Sequence, residues 1–434
     1  MSEFNCIKVL LGIQDNFLDI VSPVREELRR GRKCQVLDAV LTHSPDSCPH
    51  CGCVAEDFNI IKNGSFRSEV RIPKASKGYE VVIILKKNRF LCKSCNTTFQ
   101  LPNSIVEPHC SISNATKSRI AHDATFKTSE TEIAYHNHVS HSTVNRILNK
   151  VTEESFTVKN YLPDVLCFDE FKSTKHADGA MSFIFMDPEA KTILDIVEDR
   201  KLGNLISYFR RTYTRGALES VKYIVIDMYE PYVQLINTCF PNAEIVCDKF
   251  HIVQHINRAL NSARIEAMKK HKEHQAKFKK FWKLILMDSV KLNRTRNIYC
   301  HSFKAWKSSA QIVEFLLDLD EELRATYHYY QKLLLAIQTK NEELMTDLLM
   351  SKPEGISDKM NTARNSLLKF LEPVLAALRT SYSNGVLEGT NNLIKVIKRI
   401  AFGYRCFYHF RSRVLLIHNH NPIKLHRKNK RLIS

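Results

Sequence analysis

Glycine and proline, the residues that most often end a helix, are both absent from residues 242–352 of this chain. Proline lacks an amide hydrogen and glycine loses conformational entropy in a helix, so a sequence that avoids both favours long helices. The stretch is rich in Lys, Glu, Leu, Ala and Gln, and its apolar positions recur periodically. It therefore predicts a set of packed helices, which we interpret as an all-helical insertion.

Long apolar runs are also missing. The longest, such as residues 81–85, fall far short of the ~20 residues that cross a bilayer, and no basic-then-apolar signal segment opens the chain. We expect a soluble, cytoplasmic protein with no membrane partner. Hydrophobic residues make up 44% of the chain and charged residues 25%, which excludes wholesale disorder and a fibrous protein. Because single cores stop growing near roughly 250–300 residues, the length of 434 residues predicts two or more domains.

Acidic residues are absent from residues 389–434, although this segment contains 11 Lys or Arg. The whole chain has 64 Lys plus Arg against 46 Asp plus Glu, a formal net charge of +18. A charge of this size and sign favours a polyanionic partner, and nucleic acid is the leading candidate. We expect the protein to associate with the nucleoid.

Cysteine usage predicts a metal site. Thirteen Cys, an odd number spread along the chain, indicate reduced thiols and argue against a disulfide framework. Two Cys-x-x-Cys units, Cys48 with Cys51 and Cys92 with Cys95, supply the four thiolates that structural zinc prefers. We interpret them as a zinc ribbon whose two knuckles are joined by β-hairpin strands. His50 and Cys53 remain alternative ligands, and unconnected cysteines remain the plainer interpretation.

Residues 109–155 have a helical pattern. Ser129 and Glu132 form a capping box, and the apolar positions after it fit two short helices joined near residues 138–140. This pattern is typical of a helix-turn-helix, although a plain helical hairpin would produce it too. The exposed side of its recognition helix, which we expect to contact DNA, would carry His141, Ser142, Asn145 and Arg146.

Two hydrophobic strand patterns end on a carboxylate. Residues 165–168 are followed by Asp169, and residues 221–226 by Asp227. Buried parallel strands of an α/β sheet place such residues at one edge, where two carboxylates bind divalent metals. A further strand pattern over residues 243–247 is followed by Asp248. Each Asp alone would fit an ordinary strand-end turn or helix cap.

Glu388 is the best candidate for a third carboxylate. It lies in a helical pattern whose polar side also carries Asn391, Asn392, Lys395 and Arg399, whereas the other side is apolar. Hard oxygen ligands suit two Mg²⁺ or Mn²⁺ ions, and the basic side chains would bind phosphates. A solvated glutamate is the alternative.

These motifs resemble those of the DDE transposases of bacterial insertion sequences, in the group designated IS-L-three. The resemblance covers nearly the whole chain. It rests on the paired Cys knuckles, the helix-turn-helix, the segments Asp169–Phe171, Asp227–Tyr229 and Asp248–His251, and above all on Glu388–Arg399 continuing to Gly403–Arg405. It implies a ribonuclease-H-like core in which Asp169, Asp227 and Glu388 are the metal-binding catalytic triad, and a secondary role for Asp248 and His251. Cys406 and Tyr408 stand in a stretch where similar proteins often have an Asn.

The expected fold class is multidomain α+β, with a small zinc ribbon and a helix-turn-helix before a ribonuclease-H-like α/β core that carries a large all-helical insertion. The expected domains are an N-terminal helical segment (1–41), the zinc ribbon (42–108), the helix-turn-helix (109–155), the first part of the core (160–255), the helical insertion (256–380), and a core helix with a basic tail (381–434).

The resemblance implies a transposase that binds the terminal inverted repeats of its element and then cuts and joins double-stranded DNA without a nucleotide cofactor. We expect a homodimer or higher oligomer, because two ends must be handled together. A catalytically inactive, transposase-derived DNA-binding protein or regulator is the alternative, and a metal-dependent nuclease is a third hypothesis. Residues of the basic tail are expected to bind phosphate, namely Arg405, Arg411, Arg413, Lys428, Lys430 and Arg431.

Overall fold

A computed structural model describes residues 7–8, 11, 13, 15–29, 31–72, 80–156 and 160–420, with the backbone alone for 153–156. The described residues form two compact units. One contains the residues up to 156 together with 396–420, and the other contains residues 160–395. The expected grouping of 381–434 into one core segment is therefore wrong, since its two halves belong to different units. No helix within the described ranges is long and apolar enough to cross a membrane.

A six-stranded sheet opens the first unit. Its strands are β1 (Leu18–Ile20), β2 (Arg25–Arg29), β3 (Arg32–Leu41), β4 (Ile60–Ile72), β5 (Glu80–Cys92) and β6 (Thr97–Phe99). Four of them follow the order β1-β3-β5-β4, while β2 pairs with β3 and β6 pairs with β5. The long β4–β5 pair is antiparallel, which confirms the predicted hairpin strands between the two Cys knuckles.

The predicted N-terminal helical segment, residues 1–41, is wrong at Leu18–Ile20, Arg25–Arg29 and Arg32–Leu41, which form β1, β2 and β3. Strand β3 pairs in parallel with β5, from Cys34 opposite Glu80 to Val40 opposite Lys86. Its Leu37 is buried in one core with Ile83 of β5. The pairing decides the conformation, because it buries alternate side chains of β3 against a strand more than 40 residues away.

The helix-turn-helix is present. Its helices are α1 (Asn114–Asp123), α2 (Glu130–His136) and α3 (His141–Phe156). The Ser129 hydroxyl accepts a hydrogen bond from the Glu132 amide, as the capping box predicted. The turn between α2 and α3 has His138 in a left-handed conformation, at φ 52°. Arg71 of β4 donates to the His138 carbonyl at 3.0 Å, which fastens this turn to the sheet.

The second unit is built on a five-stranded sheet. Strands β7 (Val165–Lys172), β8 (Met181–Asp187) and β9 (Thr192–Val197) are an antiparallel meander, and β10 (Tyr223–Ile226) and β11 (Glu244–Cys247) run parallel to β7. The order β11-β10-β7-β8-β9 with these directions is the ribonuclease-H-like arrangement. Helices α4 (Leu202–Thr212), α5 (Arg215–Glu219) and α6 (Glu230–Cys239) accompany the sheet, and the buried rings of Phe168, Phe183 and Phe209 dominate the core.

The long stretch without glycine or proline is mostly helical. Its elements are α7 (Lys249–Lys270), α8 (Gln275–Lys280), α9 (Trp282–Ile285), strands β12 (Ile298–Cys300) and β13 (Ala305–Lys307), α10 (Ser309–Leu317), α11 (Glu321–Thr339) and α12 (Glu342–Met350), followed by α13 (Asp358–Lys369) and α14 (Leu371–Arg379). The insertion is therefore not all-helical. In the β12–β13 hairpin Tyr299 lies opposite Trp306, an aromatic cross-strand pair that favours a strand.

Two helices complete the described chain, α15 (Gly385–Ile400) and α16 (Phe407–Asn419). Within the first unit, α16 packs on α3, and its Leu416 lies in the same core as Val144.

Arg413 is 1% exposed and donates to the carbonyls of Ala124 and Thr128. The expectation that Arg413 binds phosphate is therefore wrong, because its guanidinium is used inside the protein. Lys428, Lys430 and Arg431 lie outside the described residues.

We expect Arg413→Met to loosen the helix-turn-helix. The substitution leaves the Ala124 and Thr128 carbonyls and the buried Glu130 carboxylate without the guanidinium, and breaking a buried charge pair typically costs about 3–5 kcal/mol. Hydrogen exchange of the α1 and α2 amides should accelerate by a corresponding factor. Arg405→Met, at an exposed position, is the control and should change exchange little. Equal protection in both variants would contradict this structural role.

Candidate active site

Three aspartates stand in one row at the edge of the core sheet. Cys167 of β7 lies opposite Val225 of β10, and Val225 lies opposite Val246 of β11. Two positions further along each parallel strand come Asp169, Asp227 and Asp248. Because paired strands lie roughly 4.8 Å apart, continuing this register places the three carboxylates side by side. The sequence predicted each carboxylate at a strand end, which is correct for Asp227 and Asp248. Asp169 instead lies within β7, which continues to Lys172 because residues 169–172 pair with β8.

His251 joins Asp227 to Asp248. It lies in the first turn of α7, and its Nδ1 contacts Oδ1 of Asp227 and lies 3.6 Å from Oδ2 of Asp248. The ligand atoms of the three residues all lie within 4.8 Å of one another, so they could hold a metal ion. Asp248 is 3% exposed, and burial raises its pKa. The hydrogen bond to Asp227 raises the pKa of His251.

Asp169 is held by two donors. Its Oδ1 accepts from the Glu170 amide at 2.7 Å, and its Oδ2 accepts from Nδ2 of Asn391 at 2.7 Å. Burial nevertheless raises the pKa of Asp169 to about 6, since the carboxylate is largely removed from water and Asp227 adds a like charge. A metal ion or another cation at this place would favour the charged form.

Helix α15 is fastened to the sheet edge by Asn384, a residue that the sequence did not single out. Its side chain is buried and donates to the Phe168 carbonyl at 3.1 Å, while its amide donates to Oδ1 of Asp248 at 3.3 Å. Asn384 thus ties the start of α15 to two of the strands that carry aspartates. Only its position before a glycine suggested a helix start.

Glu388 is exposed on the first turn of α15. It precedes Asn391 by three residues, and residues at this spacing are neighbours on one helix face, with Cβ atoms roughly 5–6 Å apart. Because Asn391 contacts Asp169, the structure brings the Glu388 face of the helix to the row of aspartates. The described contacts of Glu388 include none with the aspartates themselves.

The donor set fits hard divalent cations. Carboxylate oxygens and amide oxygens are the ligands that Mg²⁺ and Mn²⁺ prefer. Oδ1 of Asn391 is buried and accepts no hydrogen bond from any described residue, although its Nδ2 is bound to Asp169. An acceptor left open beside three carboxylates is suited to a cation or its bound water.

The four predicted zinc ligands converge in the first unit. Cys48 and Cys51 lie before β4, Cys92 ends β5, and Cys95 lies in the turn before β6. All four sulfurs lie within 4.8 Å of one another, an arrangement that fits a structural zinc ion. Cys53 is also near, with its sulfur 3.3 Å from that of Cys92, whereas His50 is exposed.

Helix α3, the predicted recognition helix, presents most of the residues expected to contact DNA to solvent. His141, Ser142 and Arg146 are exposed and Asn145 is half-buried. Nε2 of His141 lies 3.3 Å from the buried Glu130 carboxylate. A shallow groove along α3 is lined by Ser142, Asn145, Arg146, Asn149, Lys150 and, from α16, His409.

The other predicted DNA contacts are less uniform. Lys395 and Arg399 of α15 and Arg405 after it are exposed, as expected of side chains that bind phosphate. Arg411 of α16 is half-buried and interacts within the protein. Its assignment to DNA therefore rests on the sequence alone.

The ribonuclease-H-like core sheet and its row of carboxylates fit the class of DDE transposases. A family model described as transposase matches residues 166–414, more than half of the chain. The chain belongs to this family, that of the IS-L-three group.

Two curated relatives are similar to parts of the chain. The transposase for insertion sequence element IS1001 of Bordetella parapertussis is 28% identical over 246 residues, which is 56% of this chain and 58% of that protein. A protein named ATP-dependent protease, from Lactococcus lactis subsp. lactis, is 38% identical over 130 residues, which is 29% of this chain and 40% of that protein. The chain thus spans about half the length of the curated relatives it matches.

Asp169→Asn is expected to stabilise the metal-free protein at pH 8 by on the order of 2–3 kcal/mol. The pKa of Asp169 is about 6 in the folded protein, against 3.8 for an ordinary aspartate, so the folded state binds more protons between these values. The free energy of unfolding of the parent therefore falls as the pH rises from about 4 to about 7. Asparagine does not titrate, so the free energy of unfolding of the variant should not show this decrease with pH.

Urea unfolding in a chelating buffer at pH 4 and pH 8 checks this expectation. The difference between parent and variant should be large at pH 8 and small at pH 4. A variant that is less stable than the parent at pH 8 would show that the Asp169 charge is already compensated within the protein.

Proposed function

We propose that the protein is a transposase that binds the terminal inverted repeats of an insertion sequence and catalyses metal-dependent cleavage and strand transfer of DNA. The observation that carries this proposal is the row formed by Asp169 within β7 and by Asp227 and Asp248 directly after β10 and β11, with α15 fastened beside it through Asn384 and Asn391. Membership of the transposase family supports it.

In this proposal Asp169, Asp227 and Glu388 hold two Mg²⁺ or Mn²⁺ ions. When bound, such ions activate an attacking oxygen and stabilise the leaving oxygen of a phosphodiester displacement. The protein itself orients the ligands: Asn391 fixes one oxygen of Asp169, and His251 fixes one oxygen of Asp227. Asp248 lies behind His251, and its charge favours the protonated imidazole.

The reaction has two displacements at one site. Water first attacks the phosphodiester at the end of the element, which leaves a free 3′ hydroxyl. This hydroxyl then attacks a phosphodiester of the target DNA, so one bond forms as one breaks. Neither displacement needs a covalent enzyme intermediate or a nucleotide cofactor.

DNA binding is assigned to the zinc ribbon and to α3, whose exposed face would lie in a major groove. Lys395, Arg399 and Arg405 would bind phosphates, which predicts a steep loss of affinity with salt. We propose at least a dimer on DNA, since the two ends of an element must be joined in one event. No observation favours the alternative, an inactive DNA-binding protein, because none of the three proposed carboxylates is replaced by another residue type.

The test uses the DNA that flanks the reading frame, where matching inverted ends would identify the substrate. Purified protein and Mg²⁺ are incubated with labelled DNA carrying these ends. Cleavage at the ends followed by joining supports the proposal. Binding without cleavage would indicate the regulator, and cleavage without end preference would indicate a nuclease.

A further inference from the structure

One segment of the helical insertion, residues 275–307, is strongly basic. It contains nine Lys or Arg and a single acidic residue, Asp288. Within the described parts of the chain, none of these nine cations has a carboxylate at ion-pair distance. The Asp288 carboxylate already accepts hydrogen bonds from Gln338 and from the Val290 amide. Nine like charges that lack a neighbouring carboxylate repel one another and attract a polyanion.

The same segment exposes aromatic rings. Tyr299 and Trp306 face each other across the β12–β13 hairpin with ring centroids 5.8 Å apart, and they are 44% and 66% exposed. Trp282 on α9 is 40% exposed. Large rings exposed to water in a segment whose cations lack carboxylate partners indicate a surface that receives a partner. A flat ring accepts any nucleic acid base by stacking.

The hairpin is held by a second, inner set of rings. Phe303, in its turn, packs edge-on against Phe315 of α10 at 4.9 Å. The ammonium groups of Lys277 and Lys307 lie 4.9 Å and 5.5 Å from the Phe303 ring centroid. Tyr299 and Trp306 are thus presented by an anchored hairpin, which reduces the entropy lost when they bind a ligand.

We propose that residues 275–307 form a binding site for a DNA strand with unpaired bases. The cations hold the phosphates, and Tyr299 and Trp306 stack on bases, which double-stranded DNA hides within its base stack. An acidic protein partner would satisfy the charges, whereas a strand with unpaired bases satisfies the charges and offers a flat face at every nucleotide for the exposed rings. The inference rests on the proposed function only in taking DNA as the substrate, and binding can be measured without cleavage.

The composition of the chain provides a direct readout, since its only two tryptophans, Trp282 and Trp306, lie in this segment. Trp282→Phe leaves Trp306 as the single reporter, and a stacked base quenches its fluorescence. The probe is a thymidine oligonucleotide of about 20 nucleotides, longer than the site of one small binding domain. In chelating buffer at low salt we expect saturable quenching, with weaker quenching by a blunt duplex of the same length.

A matched pair of variants separates stacking from general charge attraction. In the single-tryptophan protein, Tyr299→Ala should weaken binding of the oligonucleotide roughly tenfold or more. Tyr161→Ala removes a ring of the same unit that is even more exposed, 77% against 44% for Tyr299, and should leave binding unchanged. Circular dichroism of each variant verifies folding. The quenching measurement itself uses the Trp282→Phe protein, whose β12–β13 hairpin is unaltered, so it stands even if Tyr299→Ala fails to fold.

Three results would overturn the inference: quenching by duplex as strong as by single strand, equal quenching by polyglutamate, or equal affinity in the Tyr299→Ala and Tyr161→Ala proteins. Asp227→Asn should bind the oligonucleotide as the parent does. Normal cleavage of element ends without quenching by the oligonucleotide would therefore contradict this inference alone. Quenching by the oligonucleotide without cleavage of element ends would contradict the proposed function alone.

Discussion

Asp227→Asn is expected to reduce both cleavage and joining of end-bearing DNA by about a thousandfold or more, while DNA binding is retained. The substitution keeps the shape of the side chain but removes one negative charge and one oxygen ligand. Asp227 lies between Asp169 and Asp248 in the row and contacts His251. Removing its charge therefore changes the electrostatic environment of all three neighbours. Both reactions should fall together, because one site performs them.

Asp164→Asn is the matched control for this experiment. Asp164 precedes β7 at its opposite end, and its exposed carboxylate pairs with Lys222 at 2.7 Å on the surface. Exposed pairs of this kind contribute little, so activity and binding should stay near those of the parent. If Asp227→Asn abolished cleavage but left joining intact, the assignment of Asp227 to both displacements would be wrong.

Cys92→Ser is expected to have the largest effect on the first unit. Cys92 is fully buried at the end of β5, and its sulfur lies 3.7 Å from that of Cys51. Structural zinc contributes roughly 10–16 kcal/mol of apparent binding free energy in zinc-finger peptides, and much of it is folding free energy. We expect the bound zinc to fall from about one ion per chain to near none, with loss of end binding and faster proteolysis of the ribbon.

Two cysteine controls define the ligand set. Cys110→Ser, in the same unit but outside the cluster, should keep its zinc. Cys53→Ser should keep it as well, even though the Cys53 sulfur lies 3.3 Å from that of Cys92. Zinc loss in Cys53→Ser together with zinc retention in Cys51→Ser would replace Cys51 by Cys53 as the fourth ligand. Metal analysis of the purified proteins decides between them.

The parts of the fold that the sequence predicted are those with a strong local pattern. The strands around Asp169 and before Asp227 are continuous hydrophobic runs, Ser129 caps the start of a helix, and the stretch without helix breakers is mainly helical. Strand β3 was missed because its conformation depends on pairing with β5, a partner remote in sequence. Arg413 was misjudged for a related reason, since a basic sequence does not reveal that one arginine is buried.

In the candidate site, too, features with a local sequence pattern were predicted and features that depend on tertiary contacts were not. The three aspartates were predicted from the hydrophobic runs that precede them, but their register across β7, β10 and β11 is a property of the sheet. Asn391 was recognised only as one member of a polar helix face, and its contact with Asp169 required the folded chain. Asn384 had no sequence signal beyond a helix start, because an asparagine that links two backbone segments has no distinctive spacing. The residues that position ligands are therefore the hardest to find in advance.

The central claim is that three carboxylates remote in sequence hold a pair of cations over one phosphodiester. Its most direct test is a structure of the protein with end-bearing DNA and Mn²⁺, in which anomalous scattering locates the metal. We predict two peaks roughly 3.5–4 Å apart, both in contact with oxygens of Asp169, Asp227 or Glu388. Metal peaks elsewhere, or a Glu388 carboxylate that stays remote from both aspartates in the DNA complex, would contradict the account.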